Sequence, residues 1–184
     1  MEVQITKEDK FIIKNVERLI RLSPEYKSLI RFLKYNKDVE LSKDAFFGNI
    51  DVSDKETKVR LEFHHEPFTL FDIVWAVILK LRHEGSDISD NEFMIADEVM
   101  KLHYEGKIGL IPLTTTLHEL AHSGELEIKR TQILGDIETF FDEYCLFLGD
   151  YSKLKYKNLF TGENDINTIL KIKNLNKNEV IDEA

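Results

Sequence analysis

Two short stretches hold four of the six histidines, and they constrain this chain more than any other feature. His64 and His65 are adjacent at the end of Leu61-Glu62-Phe63-His64-His65. His118 and His122 lie four apart in Thr116-Leu117-His118-Glu119-Leu120-Ala121-His122. Residues i and i+4 share one helix face, so the second pair can aim both rings at one point. In the first stretch Val59, Leu61 and Phe63 alternate with Arg60, Glu62 and His64, which is a strand pattern. It turns His64 away from Phe63 and leaves His65 at the strand end, before Pro67. Suppose Ile108–Leu113 forms a second strand beside the first and the short helix crosses both. Then His64, His118 and His122 can give three nitrogens to one metal ion, because neutral imidazole is a good ligand near neutral pH. Three protein ligands leave a coordination position open, as in catalytic sites. His65, on the other side of the strand end, could then act as general base on a water that attacks phosphorus, with the metal stabilising the leaving oxygen. Each pattern also has a plainer reading. Paired histidines arise incidentally, and His-x-x-x-His is a common surface or capping feature of helices.

Most of the remaining chain reads as helix. Thr6-Lys7-Glu8-Asp9 can cap a first helix carrying Phe11, Ile12, Val16, Leu19 and Ile20. Ser23-Pro24 opens a second with Tyr26, Leu29, Ile30 and Leu33 on its apolar face. Together they predict an N-terminal hairpin whose basic outer surface is read as a solvated face rather than a nucleic-acid contact. Gly48-Asn49 has turn chemistry. Thr69-Leu70-Phe71-Asp72 predicts a capped, largely apolar and central helix ending near Gly85, with Trp75 as packing. Ser89-Asp90-Asn91-Glu92 starts another, ending at Gly106. His83 and His103 fall near these two helix ends, where a cation suits the macrodipole, and are read that way rather than as ligands. Thr116-Leu117-His118-Glu119 caps a short helix ending by Ser123-Gly124. Leu126 and Ile128 suggest another short strand. Ile133, Leu134, Ile137, Phe140, Phe141, Tyr144 and Leu148 predict one longer helix. Beyond Gly149 the chain is expected to wrap the core through Leu154, Tyr156, Leu159, Phe160, Ile169, Leu170 and Ile172, with its last ten residues frayed.

Composition bounds the partners. A chain of 184 residues suits one domain, and no apolar run approaches the ~20 residues of a membrane span. The N-terminus lacks the features of a signal peptide, which implies a cytoplasmic protein. The lone Cys145 forms no internal disulfide or cysteine framework and is expected as a buried, inert thiol. The net charge of -9 is uneven. Residues 1–60 carry 13 basic and 11 acidic residues, residues 61–149 carry 6 and 17, and residues 150–184 carry 6 of each. A protein that grips nucleic acid unaided usually presents a basic face. The acidic centre points instead to a protein partner or a bound metal.

The order His-His, then Gly109-Leu110-Ile111-Pro112-Leu113, then His-x-x-x-His resembles the ββα-metal (His-Me finger) motif of HNH endonucleases, over roughly residues 59–65 and 107–128. Nuclease colicins have the same four-histidine arrangement. The resemblance implies that His64, His118 and His122 ligate one divalent ion (zinc, magnesium or manganese) and that His65 is the general base. It also implies an α+β, predominantly helical fold, with a small ββα hairpin-helix motif embedded among about six helices. Residues 1–184 would form a single domain: an N-terminal hairpin and connector (1–58), the motif (59–128) with a two-helix insertion (69–106), and a C-terminal helix and tail (129–184). Three departures stand out. Gly109 occupies the place of the family's bracing asparagine, two helices replace the usual short loop, and Thr114 and Leu117 stand where zinc-braced relatives have cysteines. The helical additions resemble phage-encoded HNH proteins, which implies the host cytoplasm. The main expectation is a metal-dependent endonuclease hydrolysing DNA. The alternative is a non-catalytic protein of the same fold, a virion component or accessory subunit that binds a protein partner; the acidic charge and the apolar stretches 70–81 and 133–148 favour it. A metallohydrolase acting on another substrate is a third reading.

Overall fold

Leu61–His65 forms strand β1 and Leu110–Thr114 forms strand β2, and the two pair antiparallel. Leu61 stands opposite Thr114, Phe63 opposite Pro112 and His65 opposite Leu110. The computed structural model describes residues 4–35, 44–46, 60–87 and 89–161. Pro112 has no N–H to contribute, and its backbone turns away from β1. Its carbonyl accepts from the Ala45 N–H at 3.0 Å, so the β1–β2 ladder is unharmed. The same outer edge is occupied along its length. Leu110 exchanges backbone hydrogen bonds of 3.0 and 2.9 Å with Leu134, and the Thr114 N–H donates to the Asp44 carboxylate at 2.7 Å. A strand edge covered in this way is no template for further pairing.

Helices surround this small sheet, so the fold is α+β and predominantly helical. Helix α1 (Lys7–Leu22) and helix α2 (Pro24–Tyr35) form the N-terminal hairpin. Between the strands lie α3 (Leu70–His83) and α4 (Glu92–Tyr104). Helix α5 (Thr115–Ser123) leaves β2 directly, and α6 (Ile137–Tyr144) and α7 (Asp150–Thr161) follow. Thr6 and Thr69 start α1 and α3 through reciprocal capping boxes. Each hydroxyl accepts from the N–H three residues on at 3.1 Å, and Asp9 or Asp72 accepts from the cap residue's own N–H at 2.9 Å. Such caps satisfy donors that a helix start leaves orphaned.

The core follows from the apolar spacing. Helix α3 buries Leu70, Ile73, Val74, Ala76, Val77 and Ile78, and packs against α1 and α4. Ile13, Val16, Ile20, Ile95, Val99 and Phe140 join it in the larger cluster, with Trp75 partly buried at its margin. A smaller cluster of Ile111, Leu113, Leu117, Ile133 and Ile137 fills the other side of the sheet. Helix α7 is fastened by Tyr156, whose ring stacks on Phe141 with centroids 3.9 Å apart.

Several local expectations need correction. Leu126 and Ile128 lie in irregular backbone, not a strand. The single long helix over 133–148 does not form. Leu134 bridges to Leu110, Gly135 takes φ +104°, and Asp136 caps a shorter helix by accepting from the Thr139 N–H at 3.0 Å. A 3-10 turn at Cys145–Phe147 then separates α6 from α7, and Cys145 is half-buried rather than buried. Asn91, not Ser89, caps α4, accepting from the N–H groups of Phe93 and Met94. The Gly48-Asn49 turn, Val59 and the tail beyond residue 161 lie outside the described residues.

Gly109 leads into β2 at a point with no room for a side chain. A Cβ there would overlap the Glu66 carbonyl oxygen and press on Ile137 Cγ2 at 2.7 Å. The Gly109 carbonyl also accepts from the Glu66 N–H at 3.1 Å, holding the two strand ends together. Gly109→Ala is therefore expected to cost about 2–3 kcal/mol. The measurement is the urea midpoint, which should fall with the slope unchanged; a midpoint equal to wild type would show that the backbone yields freely here.

Candidate metal centre

The alternation of β1 decides where each histidine goes. Successive side chains of a strand point to opposite faces, so Glu62 and His64 project toward α5, while Phe63 joins the larger core. On α5, His118 and His122 lie one turn apart. The His64 ring centroid is 5.2 Å from that of His118 and 4.8 Å from that of His122, and the latter two are 4.6 Å apart. One nitrogen from each of the three rings lies within 4.8 Å of the others. The two segments thus meet as the spacing requires.

Two carboxylates stand behind the rings. His118 Nδ1 donates to Glu62 Oε2 at 2.7 Å, and His64 Nε2 lies 3.3 Å from Glu66 Oε2. A carboxylate can only accept, so each contact puts the ring's proton on that nitrogen and leaves a lone pair on the other. The remaining His64 nitrogen, Nδ1, is buried without a hydrogen-bond partner. Glu66 is itself buried and also accepts from Lys155 Nζ at 2.6 Å. Burial pushes its carboxyl up, but the Lys155 ammonium and the His64 hydrogen bond outweigh burial and hold it below the usual range. Burial and the neighbouring His64 hold both His118 and His122 below the ordinary histidine value, against the pull of Glu62 on His118. Neutral rings are the form that can ligate a metal.

Sequence reasoning overlooked these supporting residues. Glu62 carried a signal, since it lies two residues before His64 and must share its strand face. Glu66 and Lys155 carried none, because 89 residues separate them and only the docking of α7 brings them together.

His65 takes the opposite face and a different environment. It is buried, and its Nε2 lies 3.1 Å from Nε2 of His103. His103 Nδ1 donates to the Val99 carbonyl at 2.8 Å, so neutral His103 accepts at Nε2 and His65 donates. Tyr26 packs against both rings, parallel to His65 at 6.4 Å and edge-on to His103 at 5.6 Å. The residue expected as a general base is thus a buried, hydrogen-bonded histidine on the opposite face of β1, although one cavity of about 410 Å³ is lined by His65 together with His64, His118 and His122. His103 also departs from expectation. It is no helix-end cation, because burial holds it down to about 4, against the Val99 hydrogen bond. His83 is exposed at its helix end, with Phe147 beside its ring.

The family model described as Bacteriophage G278-like virion protein matches residues 1–183. No HNH endonuclease model matches. No curated protein and no solved structure matches the chain. A match over the whole length overturns the resemblance to HNH endonucleases, which rested on two short segments. The nuclease, hydrolase and DNA-binding expectations are withdrawn with it. The structure supplies a physical reason for one departure already visible: at Gly109 no bracing side chain of any kind can be accommodated.

The buried histidine pair generates a pH dependence. Folded His103 resists protonation until about pH 4, whereas an unfolded histidine takes its proton near pH 6.5. Between those values the unfolded state binds more protons, so stability falls as the pH falls. The contribution of His103 is on the order of 2 kcal/mol between pH 6.5 and 4.5. Urea midpoints across that range should drop for wild type and drop less for His103→Gln; parallel curves would show that His103 does not titrate as a buried neutral ring.

Proposed function

The chain belongs to the bacteriophage G278-like virion protein family, and on that premise we propose that it is a non-catalytic subunit of the phage particle that docks against another protein of the assembly. The observation that carries this reading is the extent of the match, which spans residues 1–183 rather than one motif. On this reading the protein is made in the host cytoplasm and leaves in the particle.

The surface supports a protein partner. Helix α2 buries none of its own residues fully, and Phe32 and Tyr35 are 60% and 61% exposed. Phe11 and Leu22 of α1 and Phe93 of α4 are exposed as well. Aromatic side chains of this kind are enriched where proteins dock. The acidic region 61–149 repels a phosphate backbone and suits a basic protein surface. No helix among the described residues is long and apolar enough to cross a membrane.

The test begins with the particle. Mass spectrometry of purified virions should find the chain in fixed stoichiometry, and cross-linking should join it to one neighbour. Phe32→Asp with Tyr35→Asp alters exposed positions, so the fold should persist while incorporation drops by about tenfold or more. A chain missing from purified particles would end the proposal, and undiminished incorporation of the double variant would remove this face as the contact. Plasmid incubated with the protein and magnesium, manganese or zinc should stay intact; metal-dependent cleavage would refute the non-catalytic part.

A further inference from the structure

We propose that His64, His118 and His122 bind one borderline-soft divalent cation of the zinc class, and that this ion fastens α5 to β1. The inference is separate from the particle role and is tested on the isolated chain.

Geometry carries it. Zinc–nitrogen bonds of about 2.0–2.1 Å in a tetrahedral site place ligand nitrogens about 3.4 Å apart. One nitrogen from each of the three rings lies within 4.8 Å of the other two. Two of the rings carry the outer shell that metal-bound histidines characteristically show, in which the second ring nitrogen donates to a carboxylate. Glu62 holds His118 at Nδ1, and Glu66 holds His64 at Nε2. That leaves Nε2 of His118 and Nδ1 of His64 as the lone-pair nitrogens, and the second is the buried atom with no other partner. A polar atom buried and unsatisfied is costly, and coordination would relieve that cost. His122, more exposed, closes the set from the solvent side.

The donor set selects the ion. Three imidazoles favour zinc, cobalt, nickel or copper, whereas magnesium and manganese prefer oxygen. The three rings together line a cavity of about 410 Å³, with Glu62 and Arg21 also in its wall, which leaves room for water at a fourth position.

The need for a clamp is local. Helix α5 has nine residues and fully buries only Leu117, and so short a helix is marginal by itself. His64 is 54 positions before His118 in the chain, so one ion would tie α5 to a distant strand and close a long loop.

The test uses the full chain stripped with chelator and titrated with cobalt. The expected result is one equivalent of cobalt, with the intense visible absorption of a tetrahedral site, displaced stoichiometrically by zinc. Zinc should raise the thermal midpoint of the wild type, since it binds the folded form alone. His122→Ala alters an exposed position and should keep its circular dichroism while losing the tetrahedral absorption and at least about 100-fold in affinity. Glu62→Gln should keep the site but weaken it about 10-fold. His83→Ala, a histidine away from the trio, should bind as wild type does. Absence of tetrahedral absorption in the wild type, or equal affinity in His122→Ala, would overturn the proposal and leave the particle role standing. If His122→Ala failed to fold, His118→Gln would carry the same comparison.

Discussion

The antiparallel pairing of β1 with β2 is the constraint from which the rest of the molecule follows. Its register places Phe63 opposite Pro112 and His64 opposite Ile111, and the strand period of two then assigns every neighbouring side chain to a face. A slip of one residue would exchange those faces. His64 would enter the larger core and His65 would face α5, stranding Glu62 away from His118. The register is held from outside the ladder as well. Leu134, Ala45 and Asp44 occupy the outer edge of β2, and the Glu66 N–H bonds to the Gly109 carbonyl where the strands end.

That one alternation gives adjacent histidines opposite physical situations. His64 is backed by a carboxylate and has one nitrogen unspent. His65 packs in a triangle of rings with His103 and Tyr26, and burial, with His103 adding to it, holds it well below the ordinary value. Both rings are buried, so burial alone does not separate them. What separates them is the charge each meets: Glu66 on one face, and on the other a second imidazole that cannot neutralise a proton. A chain can therefore place a pH-sensitive core pair and a candidate cation site back to back across a single strand.

Much of this was legible in the residues. Thr6 with Asp9 and Thr69 with Asp72 announced helix starts that the structure keeps, and the alternation through Leu61 and Phe63 correctly turned His64 and His65 apart. The failures have physical causes. Gly135-Asp136 was overlooked as a break inside an apolar stretch, although a glycine at positive φ followed by a capping aspartate ends one element and begins another. Leu134 instead bridges to Leu110, and Ile133 packs in the smaller cluster with Ile111 and Leu113. His103 looked like a helix-end cation because its sequence position says nothing about what packs over it; His65 of β1 and Tyr26 of α2 cover its ring. The four-histidine layout misled for a related reason. Any strand pair crossed by a short helix can bring histidines together, so the pattern reports a local geometry and not a lineage.

A metal-bound trio and a catalytic metal site demand different surroundings, which bears on how these histidines fit a virion protein. Catalysis by metal-activated attack needs an open coordination position and a base on the same side of the strand, within hydrogen-bond reach of the attacked atom. Here the only other histidine of β1 is across the sheet and committed to His103. The groups nearest the trio are Glu62 and Glu66, already engaged in orienting the rings, the second of them also neutralised by Lys155. Arrangements of this kind favour holding over turnover. They fix ring tautomers and disperse charge. The proposed ion would join α5 to β1 through these same three rings, a restraint that calls for no base beside it.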